Sequence, residues 1–251
     1  MNTRPLPVAF VGHGSPMLAL DAERGAPLRA WGAERPPPRG VLVVSAHWEG
    51  DGLLVSPGGA QRFDFAGFPE RLSRVRYAPP RAEALAAEAS ALLGARVVER
   101  ALDHGAWVPL VHVLSGAEVP VAQLALPRGA APEEDLALGA RLAPLRDRGV
   151  LVLGSGAVVH DLARVDWSDT SPPPCWADDF DHWVGEVLAA GDLAALAGWR
   201  AAPGAALAHP TDEHLRPLLV VAGAARPGDV ARTFVRGFEL GSISRRSVQL
   251  G

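Results

Sequence analysis

The sequence predicts an α/β fold with a mostly parallel central sheet flanked by helices, and three observations lead to it. Short apolar runs recur along the chain, each bounded by glycine, proline or polar residues, as buried strands are. Segments with helical periodicity lie between these runs, and that alternation favours a parallel sheet with helices on both faces. Apolar residues make up 48% of the 251, enough for a sizeable core. No linker divides the chain, so we expect one domain over residues 1–251.

Four apolar runs are the predicted buried strands of this sheet. The last segment of the chain, 233–250, has the pattern of two short strands, which we expect to pair antiparallel at the sheet edge. The four predicted buried strands are residues 8–11, 41–46, 119–126 and 150–154.

Three segments have the composition or periodicity of helices. Residues 81–94 are rich in Ala and Leu and stop at Gly94, a typical helix end. Residues 132–147 begin with Pro132 and three acidic residues, which suit a helix N-terminus, and Pro144 predicts a break near the other end. Residues 174–190 place aromatic and aliphatic residues on one helical stripe.

Composition limits the function classes. The net charge is −4, and acidic and basic residues are mixed, so no basic stripe suggests a nucleic-acid partner. The single cysteine excludes an internal disulfide and a cysteine zinc site. No run approaches the roughly 20 apolar residues of a membrane span, and the first residues do not resemble a signal peptide. We therefore expect a cytoplasmic protein that acts on a small molecule, as a monomer or small homo-oligomer.

Three histidines follow predicted strands. His13 and His47 come directly after theirs, and His160 follows a little further on. Because ligands of open parallel sheets bind beyond the carboxyl ends of the strands, these imidazoles are expected to converge there. A single such histidine is more often an ordinary hydrogen-bonded residue. Three in the same pattern, each beside Gly or Ser, favour a metal or catalytic site, and neutral imidazole suits Fe, Zn or Cu.

The other histidines carry weaker signals. His104 follows a turn, and His214 lies where a polar loop enters an apolar run, so for each a functional and a structural role remain open. Three others are expected to be structural: His182 on the surface, His112 in the core and His209 in a loop.

An aromatic cluster and several absent motifs complete this view of the sequence. Phe63, Phe65 and Phe68 could wall an aromatic pocket or form a small hydrophobic cluster. The G-x-S-x-G nucleophile elbow, the phosphate-binding loop and the dinucleotide-binding fingerprint are absent.

Several of these segments together resemble a known family, the class III extradiol ring-cleaving dioxygenases, in its 4,5-DOPA dioxygenase branch, which is related to the protocatechuate 4,5-dioxygenase catalytic subunit. The similarity runs in the same order from residue 8 to the C-terminus and implies an extradiol-dioxygenase-like catalytic domain. The segments that carry it are GHGSP (12–16), SAHW (45–48), DFAGFP (64–69), DHGAW (103–107), GSGAVVHDL (154–162), PTDEHLRPLL (210–219) and GSISRRSVQLG (241–251).

The resemblance implies a role for each of five histidines. His13, His47 and His214 bind the metal, and His160 lies beside it as an acid/base or an additional ligand. His104 faces the substrate and the O₂ position. Many non-heme iron oxygenases use two histidines and a carboxylate. Here Glu213 directly precedes His214, and we favour His214 as the third ligand.

The function expected from the resemblance is opening of a catechol-type ring, DOPA-like or related, with O₂. Fe(II) is the metal expected for turnover, and an all-imidazole site also suits Zn(II). The histidines alone leave open a zinc-dependent hydrolase that uses a metal-bound hydroxide, or a metal-binding protein without turnover.

Overall fold

The computed structural model describes residues 5–251, and their strands and helices follow the predicted alternation. The strands are β1 (Val8–Gly12), β2 (Gly40–Gly50), β3 (Leu54–Ser56), β4 (Arg96–Val97), β5 (Val121–Pro127), β6 (Val150–Gly156), β7 (Ala231–Val235), β8 (Phe238–Glu239), β9 (Ile243–Ser244) and β10 (Ser247–Leu250). The helices are α1 (Ala26–Ala33), α2 (Glu70–Ser73), α3 (Glu83–Leu93), α4 (His104–Val113), α5 (Pro132–Leu142), α6 (Pro144–Asp147), α7 (Cys175–Ala190), α8 (Leu193–Ala197), α9 (Ala205–Ala208) and α10 (Arg216–Gly223). Short 3₁₀ turns span Pro16–Leu20, Leu162–Arg164 and Trp199–Ala201.

The central sheet has the order β4-β3-β5-β2-β6-β1-β10-β7. Its middle strands β5, β2, β6 and β1 run parallel to one another. Antiparallel pairs join β3 to β5 and connect β1, β10 and β7 on the other side. The structure confirms the predicted fold class, a single α/β domain with a mostly parallel sheet and short antiparallel C-terminal strands.

Both faces of the sheet are covered, because successive strand residues point to opposite sides. In β1, Val8 and Phe10 join the hydrophobic cluster that contains α3, α5, α7 and α10. Ala9 and Val11 join the opposite cluster, which contains α1 and α4. The near-continuous apolar runs of the sequence reflect this burial on two sides.

The predicted helices form close to their expected bounds. Helix α3 ends where Gly94 adopts φ +67°, a left-handed conformation that glycine adopts without steric cost. The segment predicted as one helix over 132–147 is divided into α5 and α6, and Pro144 is the first residue of the second.

The strand bounds differ from the prediction in one place that affects the site. The predicted strand 41–46 was wrong at its end, because β2 continues through His47 to Gly50. The pairing of β2 with β5 shifts register between Val44 and Glu49, and its pairing with β6 ends at Ser45. His47 therefore lies in a stretch of strand outside the regular ladder, rather than in a loop after it.

The C-terminal segment forms more strands than the two predicted. Strand β10 lies between β1 and β7, so β7 is the edge strand, and β8 and β9 form a separate two-stranded sheet. Within residues 5–251, no helix is both long and apolar enough to cross a membrane.

Candidate active site

Five histidines meet beyond the carboxyl ends of β1 and β6, beside the part of β2 that lies outside the regular ladder. The ring centroids of His13 and His47 are 5.0 Å apart, and those of His13 and His214 are 5.5 Å apart. His104 lies 3.9 Å from His47, and His160 stacks on His214 at 3.4 Å. Every histidine that the sequence singled out for the site is therefore in this cluster.

The end of β6 holds two of these residues by their backbones. The carbonyl of Gly156 accepts a hydrogen bond from the His13 N–H at 2.9 Å, and the N–H of Ala157 donates to the His214 carbonyl at 3.0 Å. His160, four residues beyond β6, donates its own N–H to the Ala208 carbonyl at 2.9 Å. These backbone hydrogen bonds therefore fix the positions of the Cα atoms that carry the three rings.

Glycines in β6 allow α10 to approach this strand end. A Cβ on Gly154 would lie 2.6 Å from the carbonyl oxygen of Pro217 in α10. A Cβ on Gly156 would collide with the carbonyl oxygen of His214. Because any side chain at these positions would push α10 away, the glycines bring His214 to the cluster.

Ser155, between these glycines, sets the tautomer of His13. The Ser155 hydroxyl donates to the carbonyl of Gly105, and His13 Nδ1 lies 2.9 Å from the oxygen of that hydroxyl. Since a hydroxyl has one hydrogen, Ser155 must accept from a protonated Nδ1. The lone pair of neutral His13 is then on Nε2, which faces the cluster.

Three ring nitrogen atoms meet at the centre. His13 Nε2 and His47 Nε2 are 3.1 Å apart and are each other's hydrogen-bond partners in the absence of a metal. His214 Nε2 is buried without a partner, and its Nδ1 lies 2.9 Å from Glu213 Oε1. Ligand-capable atoms of these three histidines all lie within 4.8 Å of one another. Cis ligands of an ion with metal–nitrogen distances of about 2.1 Å are separated by about 3 Å, so the arrangement fits a divalent metal.

Burial keeps these imidazoles neutral, which metal ligation requires. Desolvation lowers the pKa of His47 to about 3, with a further contribution from His104. Desolvation also lowers the pKa of His13 and of His214 well below the ordinary value, and neighbouring histidines add to the effect. A second group, His160 with Glu213 and His214, also has ligand atoms at metal-binding separation.

His104 begins α4 and is held by a carboxylate. Its backbone N–H donates to Asp64 Oδ1 at 3.1 Å, and its Nδ1 lies 2.9 Å from the same oxygen. Burial alone would raise the pKa of Asp64, but the contacts with His104 lower it to about 2. The ionised Asp64 thus fixes the ring of His104 with Nε2 free of this contact.

A buried network joins α4 to β2 behind the rings. The hydroxyl of Ser45 donates to Asp103 at 2.7 Å, and Asp103 caps α4 by accepting the Ala106 N–H. Arg100 donates to the carbonyl of His47 at 3.1 Å and contacts Asp103 at 3.4 Å. This network sets the position of His104 relative to His47.

The cluster forms one wall of a cavity of about 520 Å³. The opposite walls are largely apolar, and the cavity also contains two carboxylates, so it combines an aromatic pocket with a polar base. Its lining is His13, Gly14, Ser15, Pro16, His47, Phe65, Ala66, Phe68, His104, His160, Leu162, Trp167, Glu213, His214, Glu239, Leu240 and Ile243.

The other residues that the sequence singled out lie as follows. Phe65 and Phe68 line the cavity, whereas Phe63 is 39% exposed and packs edge-on against Phe65. The structural histidines lie elsewhere. His182 is exposed and pairs with a carboxylate on its own helix, whereas His112 and His209 are buried and each contacts a backbone carbonyl at 2.7 Å.

Sequence reasoning missed three residues of the site. Ser155 lies in the GSGAVVHDL segment and Asp64 in the DFAGFP segment, and neither residue had an assigned role. Glu239 carried no signal in the sequence. Their contacts with the site cross 40 to 224 residues of chain, which local patterns do not reveal.

Comparison with known proteins gives this geometry a family. A family model for the catalytic LigB subunit of aromatic ring-opening dioxygenase matches residues 9–239. The chain belongs to this family.

Relatives of this LigB-family chain extend over almost its whole length. A 4,5-DOPA dioxygenase extradiol from Escherichia coli (strain K12) is 35% identical and aligns over 100% of this chain and 97% of the relative. One from Beta vulgaris is also 35% identical, over 94% and 92% of the two chains. A solved structure of an uncharacterized protein from Escherichia coli K12 has a TM-score of 0.86 and 32% identity, and covers 99% of this chain and 100% of that chain. These findings confirm the family resemblance and do not favour the hydrolase.

Proposed function

We propose that the chain is a metal-dependent extradiol dioxygenase that opens a catechol-type ring with O₂. The observation that carries this proposal is the convergence of three neutral imidazoles, those of His13, His47 and His214, at the base of an aromatic-walled cavity. Membership of the LigB family makes aromatic ring opening the chemistry expected of such a site.

His13, His47 and His214 are the proposed metal ligands. When bound, a divalent metal supplies Lewis acidity that lowers the pKa of a catechol hydroxyl, and a template for the two reactants. The ring of His214 is buried, whereas Glu213 is 28% exposed and contacts the Nδ1 of that ring. We therefore assign ligation to His214 and support of its ring to Glu213, as carboxylates commonly orient metal-bound histidines.

His160 is the proposed acid/base. It lines the cavity beside His214, and burial lowers its pKa below the ordinary value, so it is neutral near pH 7. A neutral imidazole can take the proton of the second catechol hydroxyl and return it to an oxygen of the product. Its partial exposure to the cavity suits a group that exchanges protons with substrate.

His104 is proposed to face the substrate. Asp64 holds its Nδ1, so its Nε2 is the atom left for a hydrogen bond in the cavity. Such a bond stabilises negative charge as it develops on a substrate oxygen. The fixed ring excludes alternative orientations that would weaken this contact.

The finer assignments are also proposals. The curated relatives are named for DOPA, and we propose a DOPA-like or related catechol as substrate here. We propose Fe(II) as the metal of turnover, although Zn(II) suits the same imidazoles. One catalytic domain over residues 1–251 and a cytoplasmic location stay predictions.

Anaerobic reconstitution with Fe(II) tests the function. An oxygen electrode then records O₂ consumption with DOPA, protocatechuate, caffeate and plain catechol, and absorbance follows the coloured ring-opened product. We expect uptake of one O₂ for each catechol opened, and no uptake after loading with Zn(II). A metal-loaded protein that consumes no O₂ with any catechol but hydrolyses esters or amides would overturn the proposal.

A further inference from the structure

The charges around the cavity are one-sided. The chain has no lysine, and none of the cavity-lining residues within 5–251 is an arginine. Apart from the histidines, the ionisable lining residues are Glu213 and Glu239. The carboxylate of Glu213 contacts the ring of His214, one of the proposed metal ligands. Glu239 is then the charge available to act on the rest of a bound substrate.

Glu239 is built into the wall next to a proposed metal ligand. It is 2% exposed, and its carboxylate accepts the backbone N–H of Ser15. Gly14, between Ser15 and His13, adopts φ +56°, and a Cβ there would collide with the Glu239 carboxylate. The carboxylate therefore lies against the loop that follows β1, within reach of a substituent on a ring bound at the histidines.

Nearby cations do not cancel this charge. Arg24 contacts Glu239 at 3.4 Å but also pairs with Asp21 and Asp169, so one guanidinium serves three carboxylates. Arg245 donates to the backbone carbonyl of Arg24 and is not part of the cavity lining. Burial raises the pKa of Glu239, and its backbone hydrogen bond and the two arginines act against that shift. With Glu239 ionised, these two cations and three carboxylates carry a net charge of −1 beside the cavity.

The remaining walls offer no cation to an anion. Phe65, Phe68 and Ile243 present apolar surface. The side-chain donors of the lining outside the histidines, Ser15 and Trp167, are uncharged. A carboxylate on the ring substituent would lose hydration there without gaining a cation, and like charges repel at short range. An ammonium group would lose the same hydration but gain attraction to Glu239.

We propose that Glu239 is a specificity-determining residue, which makes the cavity favour catechols with an amine-bearing substituent and reject those with a carboxylate alone. The inference rests on the proposed function for the identity of the ring. In this proposal Glu239 selects the substituent both by repelling a carboxylate and by attracting an ammonium group.

Three catechols of similar size test this proposal: dopamine (cationic), 4-ethylcatechol (neutral) and 3,4-dihydroxyphenylacetate (anionic). Their dissociation constants are measured by calorimetry with the anaerobic Fe(II)-loaded protein, in which no turnover occurs. We expect dopamine to bind at least about tenfold more tightly than 3,4-dihydroxyphenylacetate, with the affinity of 4-ethylcatechol between the two. Equal or tighter binding of the anionic catechol by the unmodified protein overturns the proposal without any variant.

Glu239→Gln separates selection from a structural role. Glutamine keeps an acceptor for the Ser15 N–H and removes the charge, so the ratio of the two dissociation constants should fall about tenfold towards unity. Asp21→Asn is the matched control, because it removes a charge from the same arginine network outside the lining and should lower the ratio much less than Glu239→Gln does. An unaltered ratio in Glu239→Gln, with all three catechols weakened equally, would show that Glu239 only supports the loop.

The measurements also separate this proposal from the proposed function. If the expected order of binding holds but no catechol supports O₂ uptake, the ring-opening proposal fails and the selection by charge stands. If O₂ uptake occurs with all three and the anionic catechol binds best, the dioxygenase stands and the role of Glu239 is refuted. Failure of all three catechols to bind refutes both.

Discussion

The histidines proposed as metal ligands and those proposed as reactive groups are held in different ways. His13 and His214 are bonded through their backbones to the end of β6, and both are at least 95% buried. His104 begins α4 and His160 lies in the loop after β6, and both also line the cavity. His104 is positioned by a carboxylate from a loop, and His160 by one backbone hydrogen bond to the last residue of α9.

This difference separates two requirements of the chemistry. Ligands must be neutral and fixed, and burial against a parallel sheet supplies both conditions through desolvation and rigid backbone. Groups that exchange protons must meet substrate and solvent, so they stand on loops and helix ends at the cavity wall. Variants of the two groups of histidines should therefore fail in different ways.

Removal of a ligand should have the largest effect. His13→Ala deletes one of three imidazoles at the buried centre, so we expect loss of the metal and, with it, loss of all detectable turnover. Elemental analysis after anaerobic loading and desalting measures the metal. His182→Ala, on the exposed face of α7, is the control and should retain full occupancy. A fully loaded His13→Ala protein would contradict the ligand assignment.

His160→Phe should leave the metal and remove the proton transfer. Phenylalanine preserves the ring stacked on His214 but has no nitrogen, so kcat should fall by about 10²–10⁴. Metal content measured in the same sample should stay near that of the unmodified protein. Loss of metal parallel to loss of activity would make His160 a ligand instead, and unchanged turnover would refute the acid/base role.

The sequence predicted the histidines of the cluster but not the residues that orient them. His13 and His160 were found because apolar strands end just before them, and parallel strands end at one edge. His47 lies in the cluster as expected, but within its strand and not beyond it, since no local pattern shows that β2 leaves the ladder before it ends. His214 entered only through the family resemblance. Asp64 and Ser155 act through contacts between distant segments, which depend on the packed fold.

Ser155→Ala should weaken metal binding by a smaller factor. Alanine keeps the strand but removes the oxygen that accepts from His13 Nδ1, so the ring loses its fixed tautomer and orientation. Changes to such supporting groups cost about 10–100-fold in metal affinity. Competition with a chromophoric chelator gives the affinity, and Ser168→Ala in an exposed turn serves as the control. Equal metal affinities for Ser155→Ala and the parent would show that Ser155 is not needed to fix the tautomer of His13.

Acid should destabilise the metal-free protein gradually. Burial lowers the pKa of His47 to about 3 and that of His209 to about 4, whereas in the unfolded chain both titrate near 6.5. Below pH 6.5 the unfolded state binds protons that the folded state excludes, so each buried imidazole removes up to about 1.4 kcal/mol of stability per pH unit. Urea midpoints of the chelator-treated protein between pH 7 and 5 measure this slope. A flat profile would contradict the burial of neutral rings.

Through the two glycines of β6, the position of the proposed metal site depends on how α10 packs against the core. Since the His214 carbonyl touches Gly156 where a side chain would stand, an alanine there would displace a proposed ligand without altering any imidazole. Metal affinity of this chain would then respond to a position that carries no chemistry. A comparison of homologues that considers only their histidines would overlook such a change.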